Sequence, residues 1–125
     1  MTDTIADLIS RMKNAQMSNQ NGIIVPYSKL KLDILNVMKK NNIIEEFKIV
    51  EEKNTKIIKV DFGTKKILHI KRLSKSGRRC YVKASSIPKP LRGLGLVIIS
   101  TPKGVISGYE AKKLNAGGEL ICEVW

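Results

Sequence analysis

The spacing of apolar side chains predicts two helices in the first third of the chain. The first covers residues 4–16, where apolar residues recur at i, i+3, i+4 and i+7 and where Thr4 with Asp7 forms the S/T-x-x-D/E pattern of a helix start. Its apolar face consists of Ile5, Leu8, Ile9 and Met12. After a short strand predicted at residues 22–25, a second helix follows with Ser28 as its expected N-cap. Its apolar positions are Leu30, Ile34, Val37 and Met38.

The period of the pattern then changes to two, which is typical of strands. Phe47 and Ile49 lie on one face of the first strand, and apolar residues alternate again over residues 58–62, after a polar turn, so the two segments predict a hairpin. The first half is therefore predicted as helix, strand, helix, strand, strand. This order suggests a small sheet with helices packed on one side, and we end this N-terminal α/β subdomain, residues 1–64, near Gly63.

Strands dominate the prediction for residues 65–125. An apolar and basic strand at 67–73 leads into a turn at 74–77, and the prolines on both sides of Lys89 exclude an ordinary helix there. A hairpin follows, with the turn STPKG, residues 100–104, at its tip. The predicted fold class is α+β, with two small subdomains, the C-terminal one mostly antiparallel β with a short capped helix.

The end of the chain carries the capped helix and a last strand. Ser107 and Glu110 form a capping box, and Gly117 with Gly118 is predicted to close the helix. The last strand alternates Leu120, Cys122 and Val124. Cys122 is expected to be a small apolar residue of the core.

Charge divides the chain more sharply than hydropathy does. The net charge is +12, and residues 65–125 hold 13 basic and 3 acidic side chains, against 10 and 8 in residues 1–64. No carboxylate occurs between Phe62 and Tyr109, so a polyanionic partner is expected for the C-terminal half.

The longest apolar run, Leu96 to Ile99, is too short to cross a bilayer. The acidic N-terminus lacks the pattern of a secretory signal, so we expect a cytoplasmic protein.

The sequence contains few residues that could act in catalysis or bind a metal. His69 is the one histidine available as a base, and Cys80 and Cys122 are too few for a zinc site or a disulfide framework. Gly93 and Gly95 lack the third glycine of a dinucleotide loop. We therefore expect no catalytic residues, no metal, no cofactor and no small-molecule substrate.

Three segments carry a resemblance to a known family. They are DTIADLISRMKN, SKLK and STPKGVISGYEAKKLNAGGELICEVW, and with them the chain resembles the bacterial small-subunit ribosomal protein eight family over nearly its whole length. The resemblance implies a two-domain structural protein that binds the central domain of small-subunit ribosomal RNA and supports assembly. It also implies neighbouring small-subunit proteins, among them ribosomal protein five, and repression of its own operon through messenger RNA.

The resemblance also implies which residues meet RNA. The hydroxyl-rich turn of the family falls on residues 100–104, where Pro102 replaces a usual serine, and its stacking tyrosine falls on Tyr81. Glu119 is expected near the turn, where it orients the hydroxyls or accepts from a base. The remaining candidates of the basic half are Ser100, Thr101, Lys103, Gly104, Arg78 and Arg79, the two arginines being assigned mainly to phosphates.

In the first half, several residues match family positions that approach RNA or lie beside it. They are Asp3, Thr4, Arg11, Asn14, Lys29 and Lys31. Tyr27, Tyr109 and Trp125 are instead expected in the core or at an interface. The alternative function is a general basic DNA-binding or nucleoid protein, which would bind duplex DNA and structured RNA with similar affinity.

Overall fold

The computed structural model describes residues 4–125, so Asp3 lies outside the described part. The chain divides into two compact units, one up to Ile67 and one over Leu68–Trp125. The first unit contains α1 (Thr4–Met17), β1 (Gly22–Pro26), α2 (Lys29–Lys40), β2 (Glu46–Glu52) and β3 (Thr55–Asp61). The second contains β4 (Ile70–Arg72), β5 (Tyr81–Val82), β6 (Leu96–Thr101), β7 (Gly104–Ser107), α3 (Gly108–Lys113) and β8 (Gly118–Val124).

The first unit is a three-stranded antiparallel sheet of order β1-β3-β2 with α1 and α2. The Ser28 hydroxyl accepts a hydrogen bond from the Lys31 N–H at 3.0 Å, which confirms the predicted N-cap of α2. Lys53 and Asn54 close the β2–β3 hairpin with φ of 48° and 66°, values that match the twist of paired strands. Apolar side chains of both helices and of one face of the sheet form the core: Leu8, Ile9, Met12, Ile34, Leu35, Met38, Val25, Ile58 and Val60.

The second unit is built around β8, which pairs with three other strands. The sheet has the order β4-β8-β6-β7, and β5 pairs with the beginning of β8. Its core lies between the sheet and α3, where Ala111 packs with buried residues of the strands and of the preceding loop. These residues are Ile87, Val97, Ile99 and Leu120. The α+β class is confirmed, as is the antiparallel character of the second half.

Two predicted details differ from the structure. The strand predicted at 67–73 is regular only over Ile70–Arg72, because the N–H groups of Leu68 and His69 both donate to the Trp125 carbonyl. The helix α3 does not extend to Gly117 and Gly118. It ends at Lys113, and Asn115 makes the reversal with a φ of 52°.

The glycine pair has a different role from the predicted one. A Cβ on Gly118 would overlap the carbonyl oxygen of Ser100, and one on Gly117 would press on the carbonyl oxygen of Val82. Glycine at these positions therefore lets β8 lie close to the neighbouring backbone on both sides.

Two further observations bear on the chemistry of the chain. Cys122 is buried, as its alternation predicts, and burial raises the pKa of its thiol to about 12, so it is an unreactive core residue. Within residues 4–125, no helix has the length and apolarity needed to cross a bilayer.

Candidate nucleic-acid interface

Three predicted site residues form one row across the sheet of the second unit. Glu119 on β8 lies directly opposite Tyr81 on β5 and directly opposite Ser100 on β6. Side chains at directly opposed positions project from the same face of a sheet. Because Ile99 and Leu120, the chain neighbours of Ser100 and Glu119, belong to the core under α3, the row lies on the face away from that core.

Tyr81 is the exposed aromatic of this row. Its side chain is 68% exposed, whereas the next residue, Val82, packs against the core beneath α3. A phenol ring held by a strand and open to solvent can stack on a nucleobase. We refer to Tyr81, Glu119 and Ser100 together as the recognition row.

The two hydroxyls of the STPKG turn have different environments. Thr101 is buried, and its Oγ1 donates to the Gly104 carbonyl at 2.9 Å and accepts from the Lys103 N–H at 3.1 Å. The one proton of this hydroxyl is therefore used inside the turn. Ser100 is half-buried, and its hydroxyl makes no hydrogen bond within residues 4–125.

The tip of the turn is open to solvent. Pro102, Lys103 and Gly104 are all exposed, and Gly104 has a φ of 114°, which strongly favours glycine. The turn thus presents an ammonium group and backbone beside the recognition row. Thr101 gives the turn its shape, and Ser100 is the hydroxyl available for a partner.

Glu119 is held by a network that the sequence does not suggest. Its Oε2 accepts from the Ser74 hydroxyl at 2.7 Å and from an Arg79 guanidinium nitrogen at 2.9 Å. Ser74 is buried and also accepts from the Cys80 N–H at 2.8 Å. Burial of Glu119 opposes its ionisation, but the bonds from Arg79 and Ser74 outweigh this effect, so the pKa of Glu119 is held below its ordinary value.

This network changes the roles expected of two predicted residues. Within the described residues, the Glu119 carboxylate accepts hydrogen bonds from Ser74 and Arg79 and not from the hydroxyls of the turn. The side chain of Arg79 stays 47% exposed while it binds Glu119. Arg78 is exposed at a small turn that the backbone closes by exchanging hydrogen bonds with Lys75. Arg78 can therefore meet phosphate freely, whereas Arg79 also anchors the row.

Ser74 is the residue that the sequence analysis missed. It appeared there only as the first residue of a predicted turn. Its bond to Glu119 joins positions 45 apart in the chain, and no spacing rule connects such positions. Ser74 is 3% exposed, and its hydroxyl both donates and accepts a hydrogen bond, so it fixes the β4–β5 connection against β8.

The predicted site residues of the first unit fall into two groups. Arg11 and Asn14 are exposed and line a cavity of about 300 Å³ beside β1. The Arg11 guanidinium also binds Asp7 at 3.0 Å and the Ile24 carbonyl at 3.1 Å. Lys29 is exposed and pairs with Asp33 at 2.9 Å, the i+4 pairing that its spacing predicts.

Lys31 is the predicted site residue whose position argues against contact with RNA. It is 4% exposed, and its Nζ lies 3.0 Å from the Asp7 carboxylate and 3.3 Å from the Pro26 carbonyl. The bond from Lys31 is the largest of the effects that hold the pKa of Asp7 below its ordinary value. Lys31 therefore ties α2 to α1, because a buried ammonium group needs such partners.

The other aromatic residues have varied surroundings. The Tyr27 ring lies under the Lys56 ammonium at 4.7 Å, and Trp125 stacks on His69 with ring centroids 4.0 Å apart. Tyr109 is not in the core, since its side chain is 73% exposed. Within the described residues, no group of three or more histidine, cysteine or carboxylate side chains could hold a metal ion.

A strongly basic, β-rich unit that carries an exposed tyrosine beside arginine and lysine side chains is typical of a nucleic-acid-binding protein. Residues 3–125 match the family model described as Ribosomal protein S8. The chain is 43% identical over 130 residues to the small ribosomal subunit protein uS8 of Enterococcus faecalis, covering all of this chain and 98% of that relative. The uS8 proteins of Dictyoglomus thermophilum and Pelagibacter ubique are 43% and 41% identical over 129 residues, with the same coverage. The chain belongs to the ribosomal protein S8 family.

Membership of this family has direct consequences. The chain is a ribosomal protein, a structural component of a ribonucleoprotein that works in translation, and it resides in the ribosome, in the cytoplasm. Binding to ribosomal RNA follows from the family, whose class is structural and not enzymatic.

Proposed function

We propose that the chain is a constituent of the small ribosomal subunit that binds the central domain of small-subunit ribosomal RNA as a primary assembly protein. The observation that carries this proposal is the recognition row, in which Tyr81, Glu119 and Ser100 share one face of three adjacent strands. The row belongs to the C-terminal subdomain, which we take as residues 65–125 and which carries most of the net charge. An irregular RNA helix offers base edges, sugar hydroxyls and phosphates to such a face.

Each group of this face has its own role. Tyr81 stacks on an unpaired base, and Ser100 binds a base edge or a sugar hydroxyl. Arg78, Lys103 and the open edge of Arg79 bind phosphates, which supplies affinity without sequence information. Glu119 holds Arg79 in place, and Thr101 together with Gly104 sets the shape of the turn.

The first unit adds contacts from its exposed residues. Arg11 and Asn14 share a cavity wall, and Lys29 stands at the start of α2, so these three are the candidates for RNA contact in this unit. Lys31 is left out of the set because it is buried.

Two finer roles complete the proposal. A fold in the protein's own operon messenger RNA that resembles the ribosomal site would bind the same face, and the protein would then repress its translation. Ribosomal protein five is the proposed protein neighbour. Both roles are implied by resemblance to the family, and the RNA site is the one that the contacts above support.

A competition experiment tests the main proposal. The full chain is bound to a labelled transcript of the central domain and challenged with unlabelled transcript, with an unrelated structured RNA or with duplex DNA. We expect at least a 10-fold preference for the cognate transcript, because a row of base contacts discriminates where phosphate contacts do not. Similar competition by duplex DNA would instead support a general DNA-binding protein.

The cell supplies an independent test. We expect the protein to remain with small subunits during sedimentation after a high-salt wash, since recognition contacts depend less on salt than phosphate contacts do.

Arg78→Gln is the matched comparison for Ser100→Ala. The arginine variant should weaken binding to every RNA and lower the salt slope by about 0.7–0.9. The serine variant should weaken binding to cognate RNA alone.

A further inference from the structure

A second basic surface lies on the other side of the sheet that carries the recognition row. Its residues are Tyr109, Lys112 and Lys113 on α3, together with Lys89 from the loop before β6. The helix packs on the core face of the sheet through Ala111, and the row lies on the opposite face. One RNA segment seated on the row therefore does not cover this surface.

The loop that carries Lys89 is held close to α3. Ile87 and Ala111 belong to the same buried cluster, and a Cβ on Gly108 would come within 2.9 Å of the Ile87 side chain. Lys89, two residues after Ile87, thus stands beside the helix. Removal of water from around the Lys112 ammonium, and then the positive charge of Lys89, lower the pKa of Lys112, as expected of neighbouring like charges.

Two of these lysines are not neutralised within the described part of the chain. Among residues 4–125, Lys89 and Lys112 form no ion pair with a carboxylate. By contrast, Lys29, Lys31, Lys39 and Lys65 each do. Two neighbouring ammonium groups without a counter-charge repel each other, and an oxygen anion placed between them removes that repulsion.

Tyr109 favours a nucleic acid over an acidic protein as the anion. Tyr109 is 73% exposed, and the Lys113 ammonium lies 4.6 Å from the ring centroid. That contact occupies one side of the ring, so the other side can accept a base. Cations beside an open aromatic ring are the usual combination in surfaces that bind flexible RNA segments.

We propose that the surface formed by Lys89, Tyr109, Lys112 and Lys113 binds a second segment of the ribosomal RNA, with a phosphate between Lys89 and Lys112 and a base on Tyr109. The inference rests on the proposed binding of ribosomal RNA and adds to it a second contact on the opposite face of the same unit. Short RNA fragments that fill only the recognition row would not reach this surface.

The test compares two RNAs and two double variants of the full chain. The RNAs are a transcript of the whole central domain and the shortest fragment of it that still binds. The variant is Lys89→Gln with Lys112→Gln, and the matched control is Lys48→Gln with Lys53→Gln, which removes the same charge from exposed positions of the first unit. Binding is measured over a range of salt concentrations, and thermal melts confirm that both variants are folded.

Because the single phosphate contact is lost, we expect the Lys89 and Lys112 variant to lower the salt slope for the whole domain by about 0.7–0.9, which is about a 4- to 6-fold loss of affinity near 0.15 M salt. Its binding to the short fragment should match that of the control. Unchanged binding to the whole domain overturns the proposal, as does an equal loss on both RNAs. If the variant binds both RNAs normally but no longer binds an acidic ribosomal protein, the surface belongs to a protein partner, and the proposal is also overturned.

The two proposals can fail separately. Ser100→Ala on the short fragment reports on the recognition row alone, because that fragment does not extend to α3. If Ser100→Ala binds the fragment normally while the lysine variant loses affinity for the whole domain, the row assignment is wrong and the second surface stands.

Discussion

Separating the two hydroxyls of the STPKG turn is the sharpest test of the site. The sequence pattern treats Ser100 and Thr101 alike, but in the structure only Thr101 is bonded within the turn, to Gly104 and to Lys103. Thr101→Val removes that hydroxyl and keeps the branched side chain. Ser100→Ala removes the hydroxyl that faces the same side as Glu119.

The expected magnitudes follow from these contacts. Thr101→Val loses two hydrogen bonds, but Gly104 and Lys103 are exposed and water can replace part of the loss, so the free energy of unfolding should fall by about 1 kcal/mol. This corresponds to a lowering of the melting temperature on the order of 4 °C. Ser100→Ala should change the free energy of unfolding by less than about 0.5 kcal/mol. Its cost to cognate RNA binding should be about 1–3 kcal/mol if a buried partner is left unsatisfied.

The assay pairs thermal unfolding of the full chain with titration of the central-domain transcript. The two variants should show opposite patterns: Thr101→Val should lower the stability of the protein, and Ser100→Ala should lower its affinity for the transcript. If Thr101→Val melts like the unaltered protein while it loses affinity, the Thr101 hydroxyl contacts RNA directly and our account of the turn is refuted. If Ser100→Ala binds normally, the recognition row is refuted at that position.

Four further outcomes follow from the structure. The pKa of Glu119 lies below its ordinary 4.5, so the ionised carboxylate stabilises the fold above that pH, and this stabilisation is lost as the pH falls through the folded-state pKa. Arg79→Gln raises that pKa, so the difference in melting temperature between this variant and the unaltered protein should become smaller on acidification. Gly118→Ala should cost about 1–3 kcal/mol in urea unfolding because the new Cβ meets backbone, while Gly77→Ala, with no atom within 4 Å of its Cβ, should be near neutral. Lys31→Met should lower the free energy of unfolding by about 1–2 kcal/mol in the same assay. This is less than the loss expected for a fully buried ion pair, because the partner carboxylate is a third exposed, and the RNA affinity of the folded protein should not change. Reductant or chelator should alter neither far-UV circular dichroism nor RNA binding, and a loss of either would reveal a disulfide or metal.

The elements that sequence analysis located well are those whose signals are local. Helix periodicity, the Ser28 cap and the Ser107 cap depend on residues a few positions apart, and the structure contains both helices and both caps. The error at Gly117 and Gly118 has a different origin. A glycine pair after a helix usually ends it, but here the pair is required by strands that approach from elsewhere in the chain.

The candidate site shows the same division at the level of single residues. Lys29 and Lys31 are equivalent in composition and stand two positions apart, yet Lys29 is exposed and Lys31 is buried against Asp7 on another helix. Which face of α2 meets α1 depends on packing of apolar side chains along both helices. No property of the lysines themselves distinguishes them.

The sequence by itself determines the concentration of positive charge in the second half, the order of helices and strands in the first half, and the composition of the STPKG turn. It does so because charge, periodicity and turn chemistry are properties of short segments. Tertiary structure alone decides that Tyr81, Glu119 and Ser100 stand in one row, and that Ser74 and Arg79 hold the middle residue. The pairing of β6 with β8 shifts register between Ile98 and Ile99, and since a shift of one residue moves side chains to the other face, this irregularity sets which hydroxyl of the turn joins the row.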